Sequence, residues 1–239
     1  MATNKPHVLV VLSSAKPGWF LPELAHPYHI LAPHCTITIA SHLGGAAPLD
    51  PLSISSYGED AICAEFMKSH ADLYANTAKL EDLIPRAEAG EFDAIFYVGG
   101  YGPMFDIVDS PASAKIIQVL YANKKLLTGV CHGPAAFAHV NKPSTQEPLL
   151  KGHKVTGVSN KECELLFPVS GIVEPWSVED ELAKATAGGY SKAAEPYGVE
   201  VVLSKGEDGR TFVTGQNPSS GLGVGKAVYK ELFGKDYEE

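Results

Sequence analysis

Four short, almost unbroken apolar runs punctuate the chain, at Val8–Leu12, Cys35–Ala40, Ala94–Val98 and Leu126–Val130. Longer segments with helical spacing separate them. A run that is apolar at every position, rather than at every second one, suits a strand buried on both faces. Such runs alternating with helices predict an α/β fold: a doubly wound, mostly parallel sheet with helices on both faces. Near the C-terminus, Leu222, Val224, Val228 and Leu232 recur at helical spacing within Ser219–Phe233, which predicts a helix packed on that sheet. A further strand is predicted at Lys154-Val-Thr-Gly157, reached through the polar, proline-containing stretch 141–151. Between Ser41 and Leu80 the composition shifts to Gly, Pro, Ser and acidic residues around Pro48-Leu-Asp-Pro51, with a weak helical pattern over Asp60–Lys68. We read residues 41–80 as a small inserted cap within a single domain spanning 1–239.

A length of 239 residues with 45% hydrophobic residues is enough for a core without staples. The four cysteines, at 35, 63, 131 and 163, form no C-x-x-C pair and no metal-ligand spacing, so neither a disulfide framework nor a metal site is expected. A net charge of −9 without a Lys/Arg cluster argues against a nucleic-acid partner. The N-terminus enters the first apolar run after six residues, too soon for a signal peptide or a membrane span, so the expected location is cytoplasmic, with nuclear presence compatible. No G-x-G-x-x-G or G-x-x-x-x-G-K follows the first strand, and no cofactor is implied.

Candidate chemistry gathers at the ends of the apolar runs. Lys125-Leu-Leu-Thr-Gly-Val-Cys-His-Gly-Pro-Ala-Ala-Phe137 reads as a strand, a tight corner and a helix, with Cys131 at the corner and His132 beside it. A corner of that kind lifts its residue out of the sheet at a helix N-terminus, where backbone N–H groups favour a thiolate. The alternative for Cys131 is a buried structural thiol. Gly99-Gly-Tyr-Gly-Pro103 follows the strand at 94–98, and its glycines can aim backbone N–H groups at a substrate oxygen, which marks Gly99, Gly100 and Gly102 as a candidate oxyanion hole. Gly18-Trp-Phe-Leu-Pro-Glu-Leu-Ala-His-Pro27 places one carboxylate, Glu23, in an apolar helical stretch. It is either a solvated first-turn residue or a desolvated acid that keeps its proton and donates to a thiolate. His26, His29 and His34 read as packing or surface residues.

Together, the Glu23 segment, Gly-Gly-Tyr-Gly-Pro-Met-Phe-Asp and Gly-Val-Cys-His-Gly-Pro-Ala resemble the ThiJ/PfpI superfamily, and Thr156–Glu162, Val178–Leu182 and Val213–Pro218 extend the match almost end to end. The nearest branch is similar to the fungal and bacterial heat-shock chaperones numbered thirty-one, several described as glutathione-independent glyoxalases (glyoxalase III). The cap segment Gly44–Pro51 is similar to that branch's own. The resemblance implies a flavodoxin-like fold, shared with class I glutamine amidotransferases, whose Cys-x-Gly-x-Gln signature Cys131-His-Gly-Pro134 does not fit. It implies Cys131 as nucleophile, His132 as its proton-transfer partner, Glu23 as the acid touching the sulfur, and the Gly100 and His132 amides as oxyanion donors. It further implies a small 2-oxoaldehyde such as methylglyoxal as substrate, D-lactate as product, and a homodimer. The chain departs from the branch at Tyr101, where histidine is usual, and at Cys163, where a glutamate often orients the histidine; Glu162, Glu164 or Asn160 is left to fill that role. Other readings of the same cysteine are a protein deglycase, a cysteine peptidase, or a redox-sensing stress chaperone whose partners are misfolded proteins.

Overall fold

The computed structural model describes residues 5–238. Its framework is a seven-stranded sheet. In chain order, β1 (His7–Leu12), α1 (Leu21–Leu31) and β2 (Thr36–Ser41) form the first βαβ unit. Three helices follow, α2 (Pro51–Tyr57), α3 (Ala61–Ser69) and α4 (Ala71–Ala75), before the two-residue edge strand β3 (Ala78–Lys79). Then come α5 (Ile84–Glu88), β4 (Ala94–Tyr97), α6 (Pro103–Asp106), α7 (Pro111–Ala122), β5 (Leu126–Val130) and α8 (Ala135–Ala138). The last third holds α9 (Asn160–Ser170), α10 (Val178–Thr186), β6 (Val201–Lys205), β7 (Thr211–Gly215) and α11 (Gly221–Phe233).

The strand order is β3-β2-β1-β4-β5-β7-β6, parallel throughout except for the antiparallel pair β6–β7. From the β1–β4 pair the chain winds outward in both directions. Right-handed crossovers therefore place α1, with α11 against it, on one face and α7 on the other. Double coverage explains the unbroken apolar runs: every residue of β4 and β5 is buried, as are five of the six in β1. The loops at the carboxyl ends of β1, β4 and β5 meet at the point where the winding reverses, which is where such sheets hold ligands.

Residues 41–80 supply α2, α3 and α4. Asp50 and Asp60 explain why a weakly periodic stretch becomes helical: each side chain accepts backbone N–H bonds from the first turn that follows, and Pro51 sits at the first position of α2.

The strand expected at 154–157 does not form. Lys154 N–H donates to Ser204 Oγ at 2.9 Å and Thr156 N–H to Thr214 Oγ1 at 2.9 Å, so hydroxyls from β6 and β7 take the donors that a ladder needs. What remains is one isolated parallel bridge between Val155 and Tyr190. Among the described residues, no helix is long and apolar enough to cross a membrane.

Candidate active site

β5 ends at Val130, and Cys131 turns the chain with φ of 60°, a left-handed conformation that an L-residue adopts only at an energetic cost. The corner is pinned on both sides. Cys131 N–H donates to Gly215 O at 2.9 Å, and its carbonyl accepts from Val158 N–H at 3.0 Å. The sulfur therefore points from a fixed backbone into a cavity of about 520 Å³, whose wall includes Phe20, Tyr57, Tyr101, Leu166, Val169 and Tyr197.

Glu23 approaches Cys131 from α1. It is fully buried, and neither carboxyl oxygen meets a partner at hydrogen-bond geometry. The Cys131 thiol and the Gly99 amide lie against it. Burial therefore holds the Glu23 carboxyl well above the ordinary carboxylate range. Gly99 makes this approach possible, because a Cβ there would fall on Glu23 Oε2 and within 2.8 Å of Cys131 Cβ.

The thiolate expected from a helix N-terminus is not favoured in the resting site. α8 is four residues long, so its dipole is small. Burial pushes the Cys131 thiol well up. Two groups that each lose a proton with difficulty, in contact, do not ionise together.

On the other side of the sulfur, His132 Nδ1 lies 3.3 Å from Cys131 Sγ, and His132 Nε2 lies 3.2 Å from Glu174 Oε1. Glu174 sits in the loop between α9 and α10. Burial pushes its carboxyl up, but its contacts with His132 and Cys163 together outweigh this and hold it below the ordinary range. The third member of the Cys–His–carboxylate set is therefore Glu174, in place of the three residues expected. Glu162 is committed elsewhere: its carboxylate accepts from the Ser159 backbone and hydroxyl, Gln216, Asn217 and Tyr197 N–H, closing the capping box of α9. Asn160 is tied to Ser177, Glu179 and Asp180, and exposed Glu164 pairs with Lys161. The sequence does carry a signal for Glu174. In Gly171-Ile-Val-Glu-Pro-Trp-Ser177 it is the only charge among apolar residues and a proline.

Among the glycines, Gly100 lines the cavity with φ of 91°, and neither its N–H nor that of His132 finds an acceptor among the described residues. Gly102 is not part of the cavity wall, because its N–H is spent on Gly18 O at 3.0 Å where α6 begins. Tyr101 is buried with its ring 4.6 Å from that of His132, and burial raises its phenol further.

No family model matches the chain. The chain is similar to "Glyoxalase 3" of Candida albicans, 29% identical over 89% of each sequence, and to "Glutathione-independent glyoxalase HSP31" of Saccharomyces cerevisiae, 27% identical over 86% of this chain and 85% of that one. Its structure superposes on the Francisella tularensis Rapid Encystment Protein of 24 kDa with a TM-score of 0.81 and 30% identity, over 95% of this chain and 99% of that one. The chain belongs to the ThiJ/PfpI superfamily. Its place is in the glyoxalase III branch, and it is an enzyme of that type.

Within this ThiJ/PfpI site the other cysteines are placed differently from Cys131. Cys63 on α3 is fully buried, 3.9 Å from His26 Nε2, and burial together with Asp60 pushes its thiol up to about 12. His26 Nε2 is 3.1 Å from Asp60 Oδ1, so this trio joins α1 to the start of α3. Cys35 is buried, with its thiol pushed up to about 11 by burial. Cys163, half-buried on α9, faces Glu174.

Proposed function

We propose that the protein is a glutathione-independent glyoxalase that converts a 2-oxoaldehyde such as methylglyoxal into the 2-hydroxy acid, D-lactate, with Cys131 as nucleophile, His132 and Glu23 as proton carriers, and Glu174 orienting His132. The observation that carries this reading is the pairing on the two sides of one sulfur: an acid kept neutral by burial, and an imidazole held by a carboxylate.

In this reading Cys131 Sγ adds to the aldehyde carbon, C1, as His132 Nδ1 takes the thiol proton, and Glu174 steadies the imidazolium. The oxygen that gains charge lies against the Gly100 and His132 amides until Glu23 protonates it, giving a hemithioacetal and leaving Glu23 ionised. Glu23 then removes the proton from C1 while imidazolium protonates the ketone oxygen, which yields an enediol. Return of the Glu23 proton to C2, with loss of the C1 hydroxyl proton to His132, forms a thioester. Water cleaves it, giving one proton to Glu23, while His132 reprotonates the sulfur. The protein ends in its starting state, and the substrate has been oxidised at C1 and reduced at C2.

Residues 41–80 act in this scheme as the cap, since Leu52, Ser56 and Tyr57 of α2 form part of the cavity wall above the sulfur. The experiment is to follow methylglyoxal loss and lactate formation with chiral lactate assays, with and without glutathione. The reading expects D-lactate at a rate indifferent to glutathione. A strict requirement for glutathione, or methylglyoxal loss without lactate, would overturn it.

A further inference from the structure

His132, Cys163 and Glu174 come from three separate segments, yet a His132 ring nitrogen, Cys163 Sγ and a Glu174 carboxyl oxygen all lie within 4.8 Å of one another. His132 and Glu174 are already 3.2 Å apart, close to the spacing of two ligands on a tetrahedral ion. One imidazole, one thiol and one carboxylate with a fourth position open is a donor set that suits zinc. The set also has its own way in. A cleft of about 450 Å³ on the α9–α10 side is lined by Cys163, Glu174, Phe167, Val173 and Trp176, whereas Cys131 and His132 line the substrate cavity. An ion can thus reach Glu174 and Cys163 without passing the sulfur of Cys131.

We propose that Cys163, Glu174 and His132 Nε2 form a binding site for zinc, entered from the α9–α10 cleft, and that occupation switches the enzyme off. Binding forms a bond from zinc to the Cys163 sulfur and releases its proton to solvent. It also takes the lone pair of His132 Nε2. In the working site Nε2 carries the proton that faces Glu174, which leaves Nδ1 free to accept from Cys131. Zinc on Nε2 confines the ring proton to Nδ1, so His132 cannot take the thiol proton and Glu174 no longer faces an N–H. The second His–Asp–Cys group, at His26, Asp60 and Cys63, is a poorer candidate. Cys63 is fully buried, and Asp60 Oδ1 already accepts from Ile62 N–H, Cys63 N–H and His26.

The inhibitory half of this proposal rests on the glyoxalase reading; the binding half does not. Zinc sulfate is titrated calorimetrically into the phosphine-reduced protein, and lactate formation is measured at each zinc level as a fraction of the same protein's zinc-free rate. The wild type is expected to bind one equivalent and lose activity in step, with recovery on chelation. Cys163→Ser, which keeps a hydrogen-bond donor toward Glu174 but replaces a thiolate ligand by a hydroxyl, is expected to bind far more weakly or not at all, and to resist inhibition correspondingly. Glu174→Gln is expected to weaken binding as well, which covers the case of a misfolded Cys163 variant. Binding unchanged in both variants, or abolished by Cys131→Ser or Cys63→Ser instead, would overturn the proposal. Binding that depends on Cys163 in a protein without glyoxalase activity would leave the site standing and count against the proposed function alone.

Discussion

Glu23→Gln replaces an acid by an amide of the same shape, and the site makes two opposite demands on it. For stability, Glu23 is a liability above its ordinary pKa of 4.5, because the buried carboxyl keeps its proton while the unfolded chain releases it. Below pH 4.5 both states bind the proton and the residue costs nothing. Above it, wild-type stability falls by about 1.4 kcal/mol per pH unit until the raised folded value is reached, and then stays constant. Gln has no such dependence. The variant is therefore expected to match or fall slightly below wild type at pH 4 and to become more stable than wild type as the pH rises to 7, measured by denaturant unfolding at a series of pH values. For catalysis the same exchange removes the group that carries the proton between C1 and C2, and kcat for lactate formation is expected to fall by roughly 10²–10⁴-fold. A variant that is both more stable at neutral pH and nearly inactive is hard to explain by any role other than a strained functional acid. A Gln variant that retains activity within tenfold of wild type, or whose stability difference does not change with pH, refutes the assignment of a buried neutral acid.

Glu174→Gln is expected to lower kcat by roughly 10²-fold, since the imidazolium loses its counter-charge. Because the folded pKa of Glu174 is depressed, the stability that it supplies is present above the ordinary carboxylate range and lost on acidification, so the variant should be less stable than wild type at pH 7 and level with it at pH 3; equal kcat would remove Glu174 from the site. Gly99→Ala forces a Cβ onto Glu23 Oε2 and within 2.8 Å of Cys131 Cβ, and is expected to cost about 1–3 kcal/mol in denaturant unfolding along with most of the activity; a neutral result would mean that the contact between α1 and the elbow is loose.

The elements that sequence reading found are those in which burial decides the residue at every position. β5 coincides with its expected run, and β1, β2 and β4 differ from theirs by a residue at one or both ends. The strand misplaced at 154–157 has the right composition, but hydroxyls 50 and 58 residues away take its donors, which no local pattern records. The site divides in the same way. Cys131 and His132 are legible because the corner is local, and Glu23 because a carboxylate in an apolar helix is anomalous. Glu174 is not legible from the resemblance, because the branch's glutamate falls in the α9 segment. In this chain that position is Cys163, and the carboxylate comes instead from the loop after α9, so the same contact is made by a different part of the backbone. Adjacency along the chain does not separate the three glycines: Gly100 lines the cavity, Gly99 lies against Glu23, and the backbone turns the Gly102 N–H toward Gly18.

The most direct test of the account compares Cys131→Ser with Cys63→Ser in a glutathione-free lactate assay. Both residues are buried cysteines within reach of a histidine, but only Cys131 opens onto the cavity beside Glu23. The account expects no lactate above background from Cys131→Ser and a rate near wild type from Cys63→Ser. Lactate formation that survives loss of Cys131, or that disappears with loss of Cys63 in a folded protein, would contradict it.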